Sequence, residues 1–336
     1  MMKETAVLDV RDLRITFPGK TEPAVDGVSF TVGAGEVLGV AGESGSGKST
    51  IALAALGLLP PDTSVGGSIH FEGQDLLGLS GRRLRQLRGR GIAMVFQESV
   101  TALHPMRKIG DQLVRVVRAH FDISREEAGK RVAASLKDVR LEPERVMASF
   151  PHELSGGMCQ RVMIAMALSC EARLILADEP TTALDVSLQK DILTLMRELV
   201  ERRELSAMFI SHDLAVLGDV SDRVMVLYRG EVKEIDRTRN LLRAPRHPYT
   251  EALLACVPRL GGERLVAFPE IAADQSVAVI DGACNYIGRC RFATSQCHEH
   301  PELVPAEGGL VRCWHPVGLE PPLPAGATAV TTGGDA

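Results

Sequence analysis

The first residues with the types and spacing for chemistry form a glycine-rich run, Gly42-Glu43-Ser44-Gly45-Ser46-Gly47-Lys48-Ser49-Thr50. The run fits the spacing G-x-x-x-x-G-K-S/T at every fixed position. Apolar residues 37–41 before it favour a buried strand, and residues 51–56 after it favour a helix. Glycines let the backbone N–H groups of such a loop point at one anion, and the helix start adds a positive dipole end. We therefore expect a nucleotide here, with Lys48 on the β- and γ-phosphates and Ser49 holding Mg²⁺.

A second group of chemical residues is the acid pair Asp178-Glu179, which ends the apolar run Leu174-Ile175-Leu176-Ala177. This is the Walker B arrangement. Asp178 is predicted to hold Mg²⁺ with Ser49, directly or through water. Successive strand residues point to opposite sides, so Glu179 is predicted to face elsewhere and to polarise the attacking water as a general base. Two acids also occur at ordinary strand ends, and the phosphate-binding run is what favours the catalytic interpretation.

The third motif is Leu154-Ser155-Gly156-Gly157-Met158-Cys159-Gln160-Arg161. Ser155 is placed to cap a helix, and the two glycines leave the first amides of that helix accessible to an anion. The motif alone could be a plain helix cap. Its position just before the acid pair resembles the order of motifs in the ATP-binding cassette (ABC) ATPases, and the resemblance extends over residues 5–258, about three quarters of the chain.

The resemblance implies roles for four further residues. Gln97 matches the Q-loop glutamine, which contacts Mg²⁺ and the attacking water. His212 matches the switch histidine that contacts the γ-phosphate, and Asp185 matches the D-loop aspartate at the dimer interface. Phe17 is the candidate aromatic residue that stacks on adenine, although a phenylalanine in a strand is often a core residue. The catalytic residues implied are Glu179, His212 and Gln97.

The same resemblance implies a pair of ATPase subunits arranged head to tail. In this arrangement ATP lies between the phosphate loop of one subunit and the signature motif of the other. The signature residues of this chain would then contact ATP bound mainly by a partner; they are Ser155, Gly156, Gly157 and Gln160. Closure of two opposed sites around a triphosphate would also exclude water.

Two stretches resemble the ATPase subunits of dipeptide and oligopeptide importers more specifically: residues 246–254, with the sequence RHPYTEALL, and residues 96–105. The resemblance implies an ATP-hydrolysing subunit that powers peptide import through two transmembrane permease subunits, supplied by an extracytoplasmic peptide-binding protein. Its second ATPase could be identical or different. An importer of nickel or another small solute remains an alternative. A soluble ABC ATPase outside transport is disfavoured, because the chain has one set of motifs and no long heptad run.

A four-cysteine array follows, with Cys284, Cys290, Cys297 and Cys313 separated by five, six and fifteen residues. The C-x-x-C knuckles of zinc ribbons are absent from it. The importer ATPases carry an iron–sulfur cluster at a matching array, so the resemblance implies a 4Fe-4S cluster. Zinc and four free thiols are the second and third alternatives.

The elements that must position these residues predict an α/β fold of the P-loop, RecA-like class. Short strands over residues 5–36 predict a small antiparallel β subdomain, and alternating helix and strand patterns over 155–235 predict a parallel part of the main, mixed sheet. Helical periodicity predicts a helical insertion subdomain at about residues 98–158. The predicted organisation is a nucleotide-binding domain (1–258), a cysteine-rich C-terminal extension (259–319) and a disordered tail (320–336).

Composition limits the remaining classes of function. The net charge of −5 gives no bulk attraction to nucleic acid, and an aromatic content of 4% disfavours base stacking, so no nucleic-acid partner is expected. The longest apolar run is about half of what a membrane span needs, and the N-terminal residues lack the apolar centre of a signal peptide. We therefore expect a cytoplasmic chain whose membrane role comes through a partner, and the resemblance to importers implies a peripheral position at the cytoplasmic face of the cell membrane.

Overall fold

The computed structural model describes residues 6–97, 99–181, 184–256 and 282–318. The predicted disordered tail and the first part of the predicted extension lie outside these ranges. The α-helices are α1 Lys48–Ala55, α2 Gly81–Leu87, α3 Ser99–Ala102, α4 Ile109–His120, α5 Arg125–Asp138, α6 Pro143–Ala148, α7 Gly156–Ser169, α8 Val186–Arg203, α9 Leu214–Val220, α10 Thr238–Arg243 and α11 Pro248–Ala255. Short 3₁₀ helices lie at Pro151–Glu153, Ile287–Arg289 and Ser295–His298.

The strands form two sheets. Their bounds are β1 Ala6–Thr16, β2 Val25–Gly33, β3 Val37–Ala41, β4 Ser64–Phe71, β5 Gln74–Asp75, β6 Ile92–Val95, β7 Leu174–Asp178, β8 Ser206–Ser211, β9 Arg223–Tyr228, β10 Glu231–Arg237, β11 Val304–Ala306 and β12 Gly309–Val311. The small sheet has the order β2-β1-β4-β5 and is antiparallel. The main sheet has the order β11-β12-β10-β9-β3-β8-β7-β6 and is parallel from β9 to β6. The predicted mixed sheet and antiparallel subdomain are thus confirmed.

The central strands of the main sheet are buried on both faces, which explains their continuous apolar sequences. In β3, Val37 and Ala41 belong to a core formed with the helices, whereas Leu38 and Val40 belong to a core shared with the small sheet and α1. The strand period of two assigns alternate residues to opposite faces. The sheet is therefore held rigidly between two apolar layers, and its strand ends have fixed positions.

The helical insertion consists of α3 to α6, followed by α7. The Ser124 Oγ caps α5 by accepting a hydrogen bond from the Glu127 N–H at 3.1 Å. Valine and leucine residues on the inner faces of α4 and α5 pack against α7 and α8 in the helix-side core. Among the described residues, no helix is both long and apolar enough to cross a membrane.

The described part of the C-terminal region, residues 282–318, adds to the edge of the main sheet. β12 pairs antiparallel with β10, matching Glu234 with Val311, and β11 closes a hairpin with β12. The Arg246 guanidinium is largely buried; it contacts Asp236 at 2.9 Å and donates to the carbonyls of Ala306 and Glu307 at 2.9 and 2.7 Å. The region therefore uses the nucleotide-binding sheet as its support.

Candidate active site

The candidate site lies where four parallel strands of the main sheet end. β3 ends before Gly42, β6 before Gln97, β7 at Asp178 and β8 before His212. The carboxyl ends of parallel strands meet at one edge of a sheet, so segments far apart in the chain deliver their side chains to one place. The order β3-β8-β7-β6 places the glycine loop and the two acids at this edge.

The loop after β3 curls because two of its glycines adopt backbone conformations that other residues avoid. Gly47, the residue before α1, has φ 99°, and a Cβ there would lie 2.5 Å from the Ala24 carbonyl oxygen. A Cβ on Gly42 would lie 2.3 Å from the Leu227 carbonyl oxygen. Both positions require glycine, since such approaches are closer than side chains tolerate. The loop consequently leads straight into the N-terminus of α1.

Lys48 begins α1 and is buried beneath the loop, with only 5% of its surface exposed. Its Nζ donates to the carbonyls of Gly42 and Glu43 at 2.8 and 2.7 Å, and to the Ser46 Oγ at 3.4 Å. Burial lowers the pKa of Lys48, and the charges of Glu179, Asp178 and Glu43 act against this shift. The ammonium is thus surrounded by acceptors at the loop that is predicted to receive phosphate.

Ser49 and Asp178 form a pair of oxygen donors of the type that binds Mg²⁺. The Ser49 hydroxyl donates to Asp178 Oδ1 at 2.9 Å. Burial raises the pKa of Asp178, and the hydrogen bond from Ser49 opposes that effect. A hydroxyl and a carboxylate beside a phosphate loop suit a hard cation, which prefers oxygen ligands.

Glu179 leaves the strand in the left-handed conformation, with φ 45°, while its N–H donates to the Ile210 carbonyl at 2.9 Å. Its Oε2 accepts from Gln97 Nε2 at 3.4 Å, and its Oε1 lies 3.1 Å from His212 Nδ1. The left-handed region is uncommon for residues with a side chain and often marks functional positions. The structure therefore brings the three predicted catalytic residues together.

These groups surround a cavity of about 830 Å³. Among the sequence-predicted residues, the cavity is lined by Phe17, Gly42, Ser44, Gly45, Gly47, Lys48, Ser49, Thr50, Gln97, Asp178, Glu179 and His212. Ser46 contributes through its contact with Lys48 instead. Ala24, Glu43 and Leu253 also line the cavity and were not predicted from the sequence.

The signature residues lie apart from this cavity. The Ser155 Oγ caps α7 by accepting from the Met158 N–H at 3.3 Å, as predicted, and Ser155 and Gly156 are exposed. Gly157 faces α8: a Cβ there would lie 3.4 Å from Leu188. Asp185 Oδ1 accepts from the Leu188 N–H at 3.0 Å. Signature motif and D-loop thus lie side by side, and Gln160 is buried in α7.

The four cysteines of the C-terminal region line a second, small cavity together with Tyr286, Trp314 and His315. Burial, together with the three neighbouring thiols, raises the pKa of Cys313 to about 12. Thiolates packed this closely repel one another, so a bound cation would be needed to keep them ionised. In the parts of the chain that the structure describes, no three His, Cys, Asp or Glu side chains are arranged to hold a metal ion.

Three residues at the loop were not singled out by the sequence: Glu43, Tyr249 and Arg289. Tyr249 Oη accepts from the Glu43 N–H at 3.0 Å, and Arg289 makes two contacts of 2.9 Å with the Glu43 carboxylate. The sequence does place an acid, Glu43, within a loop that is predicted to bind an anion. Such an acid requires a neighbouring cation to compensate its charge. Its partner, 246 positions away, could not be identified from spacing.

Comparison with known proteins identifies both parts of the chain. The family model "ABC transporter" matches residues 25–182, and "Oligopeptide/dipeptide transporter, C-terminal region" matches residues 233–297. Among solved structures, the dimeric ATP-binding cassette MJ0796 bound to ADP and Pi is 30% identical with a TM-score of 0.62. It covers 69% of this chain, and 99% of its own length is matched.

Curated relatives match almost the whole chain. The "Oligopeptide transport ATP-binding protein OppD" of Escherichia coli (strain K12) is 41% identical, covering 93% of this chain and 94% of the relative. The "Probable peptide ABC transporter ATP-binding protein y4tR" of Sinorhizobium fredii is 44% identical, covering 93% and 96%. With both family matches and the cavity at the strand ends, the chain belongs to the ATP-binding proteins of the oligopeptide/dipeptide ABC transporter family.

Proposed function

We propose that this chain hydrolyses ATP to power the import of peptides through membrane permease subunits. One observation carries the catalytic part: Lys48, the Ser49–Asp178 pair and the Glu179–Gln97–His212 group meet at one cavity. The peptide part is supported by relatives that are named as oligopeptide and dipeptide transport proteins. This chain matches them along nearly their whole length.

Each side chain has a role that follows from its geometry. Lys48 exchanges its carbonyl acceptors for phosphate oxygens, which bind an ammonium more strongly because they are charged. Ser49 and Asp178, with Gln97 at the same cavity, would hold Mg²⁺, which would supply positive charge to neutralise the phosphates. Glu179 accepts the proton of the attacking water. His212 and Gln97 hold the Glu179 carboxylate from two sides and orient it.

A second ATPase subunit completes the site. The exposed Ser155 and Gly156 do not line the chain's own cavity, so we assign them to the nucleotide of a partner. Phe17 also lines the cavity, and we assign it to the adenine ring. The partner ATPase, two permeases and an extracytoplasmic binding protein make up the assembly, with this chain on the cytoplasmic side.

Uptake experiments test the cargo. In cells lacking the gene, we expect loss of labelled peptide uptake, restored by the wild-type chain and not by Glu179→Gln. Labelled nickel serves as the comparison substrate. Loss of nickel uptake with normal peptide uptake would assign the chain to metal import instead.

We also propose that the four cysteines bind a 4Fe-4S cluster. Four thiols line one small cavity, those of Cys284 and Cys297 buried and those of Cys290 and Cys313 partly buried. They provide one thiolate for each iron, and a cluster does not require four sulfurs to converge on a single ion. Bound metal would offset the repulsion between the thiolates. Zinc bound by the same thiols and four free thiols are the two alternatives.

Anaerobic purification distinguishes the three. A cluster predicts a brown protein with four irons per chain by elemental analysis, and loss of colour in Cys290→Ser. Cys170→Ser, a buried cysteine in the core, is the matched control. One zinc per chain without iron would show a zinc site in place of the cluster. If neither metal is found, the four cysteines are free thiols.

A further inference from the structure

The acid of the phosphate loop, Glu43, is held by two residues from the far end of the chain. Its N–H donates to Tyr249 Oη at 3.0 Å, and its carboxylate accepts two hydrogen bonds of 2.9 Å from Arg289. Its carbonyl accepts from Lys48 Nζ at 2.7 Å. Glu43 therefore links the C-terminal region directly to the lysine at the centre of the candidate site.

Arg289 is held firmly in its position. It ends the 3₁₀ helix Ile287–Arg289, which lies between Cys284 and Cys290 in the chain, and its side chain is 11% exposed. The guanidinium lies 5.7 Å from the ring centre of Tyr228 and 6.0 Å from that of Tyr286. The planar guanidinium lies near two aromatic rings and makes two hydrogen bonds to one carboxylate, which fixes its orientation. A lysine ammonium could not make both hydrogen bonds in this arrangement.

The rings beneath it form a compact support. The centroids of Tyr228, Tyr249 and Tyr286 lie 4.7 to 5.4 Å apart. These residues come from the end of β9, from α11 and from the C-terminal region, so a shift of the last would be transmitted to the ring that contacts the Glu43 N–H. Two contacts, one to the backbone and one to the carboxylate, thus couple this region to the loop.

Charge gives the pair a second effect. Glu43 lines the cavity that receives a triphosphate, and its carboxylate would repel that anion if uncompensated. The two-pronged contact with Arg289 neutralises it. Loss of Arg289 would leave a negative charge beside the phosphates and free the first turn of the loop.

We propose that Arg289 is a positioning residue for ATP: through Glu43 it sets the phosphate loop and couples the cysteine-bearing region to nucleotide binding. The proposal rests on ATP binding at Lys48 alone, and it holds whether the thiols carry iron, zinc or neither. Linkage requires that the coupling be reciprocal, so bound ATP must also stabilise the segment around Arg289.

The first test measures Mg-ATP affinity by calorimetry in the full chain, with Glu179→Gln as the background to prevent turnover. Arg289→Gln is expected to weaken binding at least about fivefold, and Arg289→Lys to a smaller extent. Arg291→Gln is the matched control, because Arg291 lies two residues away and bonds to Glu251 on the exposed surface at 2.7 Å. Its affinity should equal that of the background. Melting temperatures of all variants are measured alongside.

A double variant tests whether the pair acts as one unit. Arg289→Gln already breaks the contact and leaves the Glu43 charge uncompensated, so adding Glu43→Gln should cause no further loss of affinity and should restore part of it. Losses that multiply, unchanged affinity in both Arg289 variants, or an equal loss in Arg291→Gln would overturn the proposal.

Hydrogen exchange provides a readout that a purely structural role would not change. In the Glu179→Gln background, Mg-ATP is expected to slow backbone exchange over residues 284–298, and this protection should vanish in Arg289→Gln at saturating ATP. If Mg-ATP does not change the exchange rate of residues 284–298 in the Glu179→Gln protein, the two regions are uncoupled.

Discussion

At the scale of single residues, the site depends on a few side chains, such as Lys48 and Glu179, that each make several polar contacts. Lys48 is buried at a cost to its charged form, and this cost is offset by three oxygen acceptors and by nearby acids. Glu179 is held in the left-handed conformation, and Gln97 and His212 contact its two oxygens. Its carboxylate is thereby oriented before any water reaches it, which lowers the reorganisation needed during the reaction.

Glu179→Gln should separate ATP binding from hydrolysis. The amide keeps the shape and the contact with His212 but cannot accept a proton, so we expect the hydrolysis rate to fall by about a hundredfold or more. ATP affinity, measured by calorimetry, should stay close to that of the wild type. Glu201→Gln makes the same chemical change on the exposed face of α8 and should leave turnover intact. Unchanged hydrolysis in Glu179→Gln would remove this residue from the role of base.

Lys48→Ala should remove nucleotide binding itself. Charged hydrogen bonds to phosphate are lost, and we expect ATP affinity to fall by about 2 kcal/mol or more. Lys130→Ala, on the exposed surface of α5, removes the same charge far from the cavity and serves as the control. Equal affinities for the two variants would contradict the assignment of the loop.

At the scale of elements, the C-terminal region is joined to β10 by a buried charged network. Lys233 is fully buried and donates to Glu231 at 2.7 Å, while His300 lies 3.0 Å from the other Glu231 oxygen. Burial by itself would raise the pKa of Glu231, but His300 and Lys233 together lower it to about 2. With the β10–β12 pairing, this network fastens residues 282–318 to the sheet.

A pH dependence of stability follows from Glu231. Its folded-state pKa lies below the unfolded value, so the stabilisation is complete at neutral pH and is lost as pH falls from about 4.5 to about 2. Glu231→Gln should therefore lower the free energy of unfolding at neutral pH by about 3 kcal/mol. The gap between variant and wild type should narrow towards pH 2, as measured by denaturant unfolding at each pH. A gap that stays constant over this range would contradict the depressed pKa.

At the scale of the whole molecule, the residues predicted to contact nucleotide lie on two separate surfaces. One is the cavity at the strand ends, and the other is the exposed start of α7 beside the D-loop. The start of α7 does not line the cavity, and the proposed second ATPase would bring such surfaces together. In the proposed pair of ATPases, ATP would join one surface of each subunit to the other surface of its partner.

Ser155→Arg should abolish pairing of the ATPases. ATP-dependent assembly is measured by light scattering in the Glu179→Gln background. If the second ATPase is a different protein, that protein is added to the sample. The arginine adds bulk and removes the hydroxyl at the exposed start of α7, so the dimer should be lost. Ser124→Arg makes the same change at the N-cap of α5 and should still pair. A Ser155→Arg chain that pairs normally would place the interface elsewhere.

Local sequence patterns were sufficient to predict the elements that carry the candidate site. Glycine spacing, an apolar run before two acids and a serine before two glycines each report short-range geometry. On that basis the glycine loop between β3 and α1, strand β7 and the cap of α7 were confirmed. They were readable because strand alternation and helix capping depend on residues only a few positions apart.

Which distant residues meet depended on tertiary packing. Gln97 reaches Glu179 across 82 positions, and Arg289 reaches Glu43 across 246. These contacts follow from the order β3-β8-β7-β6 and from the attachment of β12 to β10, which no local periodicity encodes. A local pattern records whether a residue is buried; its partner is chosen by the strands and helices that pack around it.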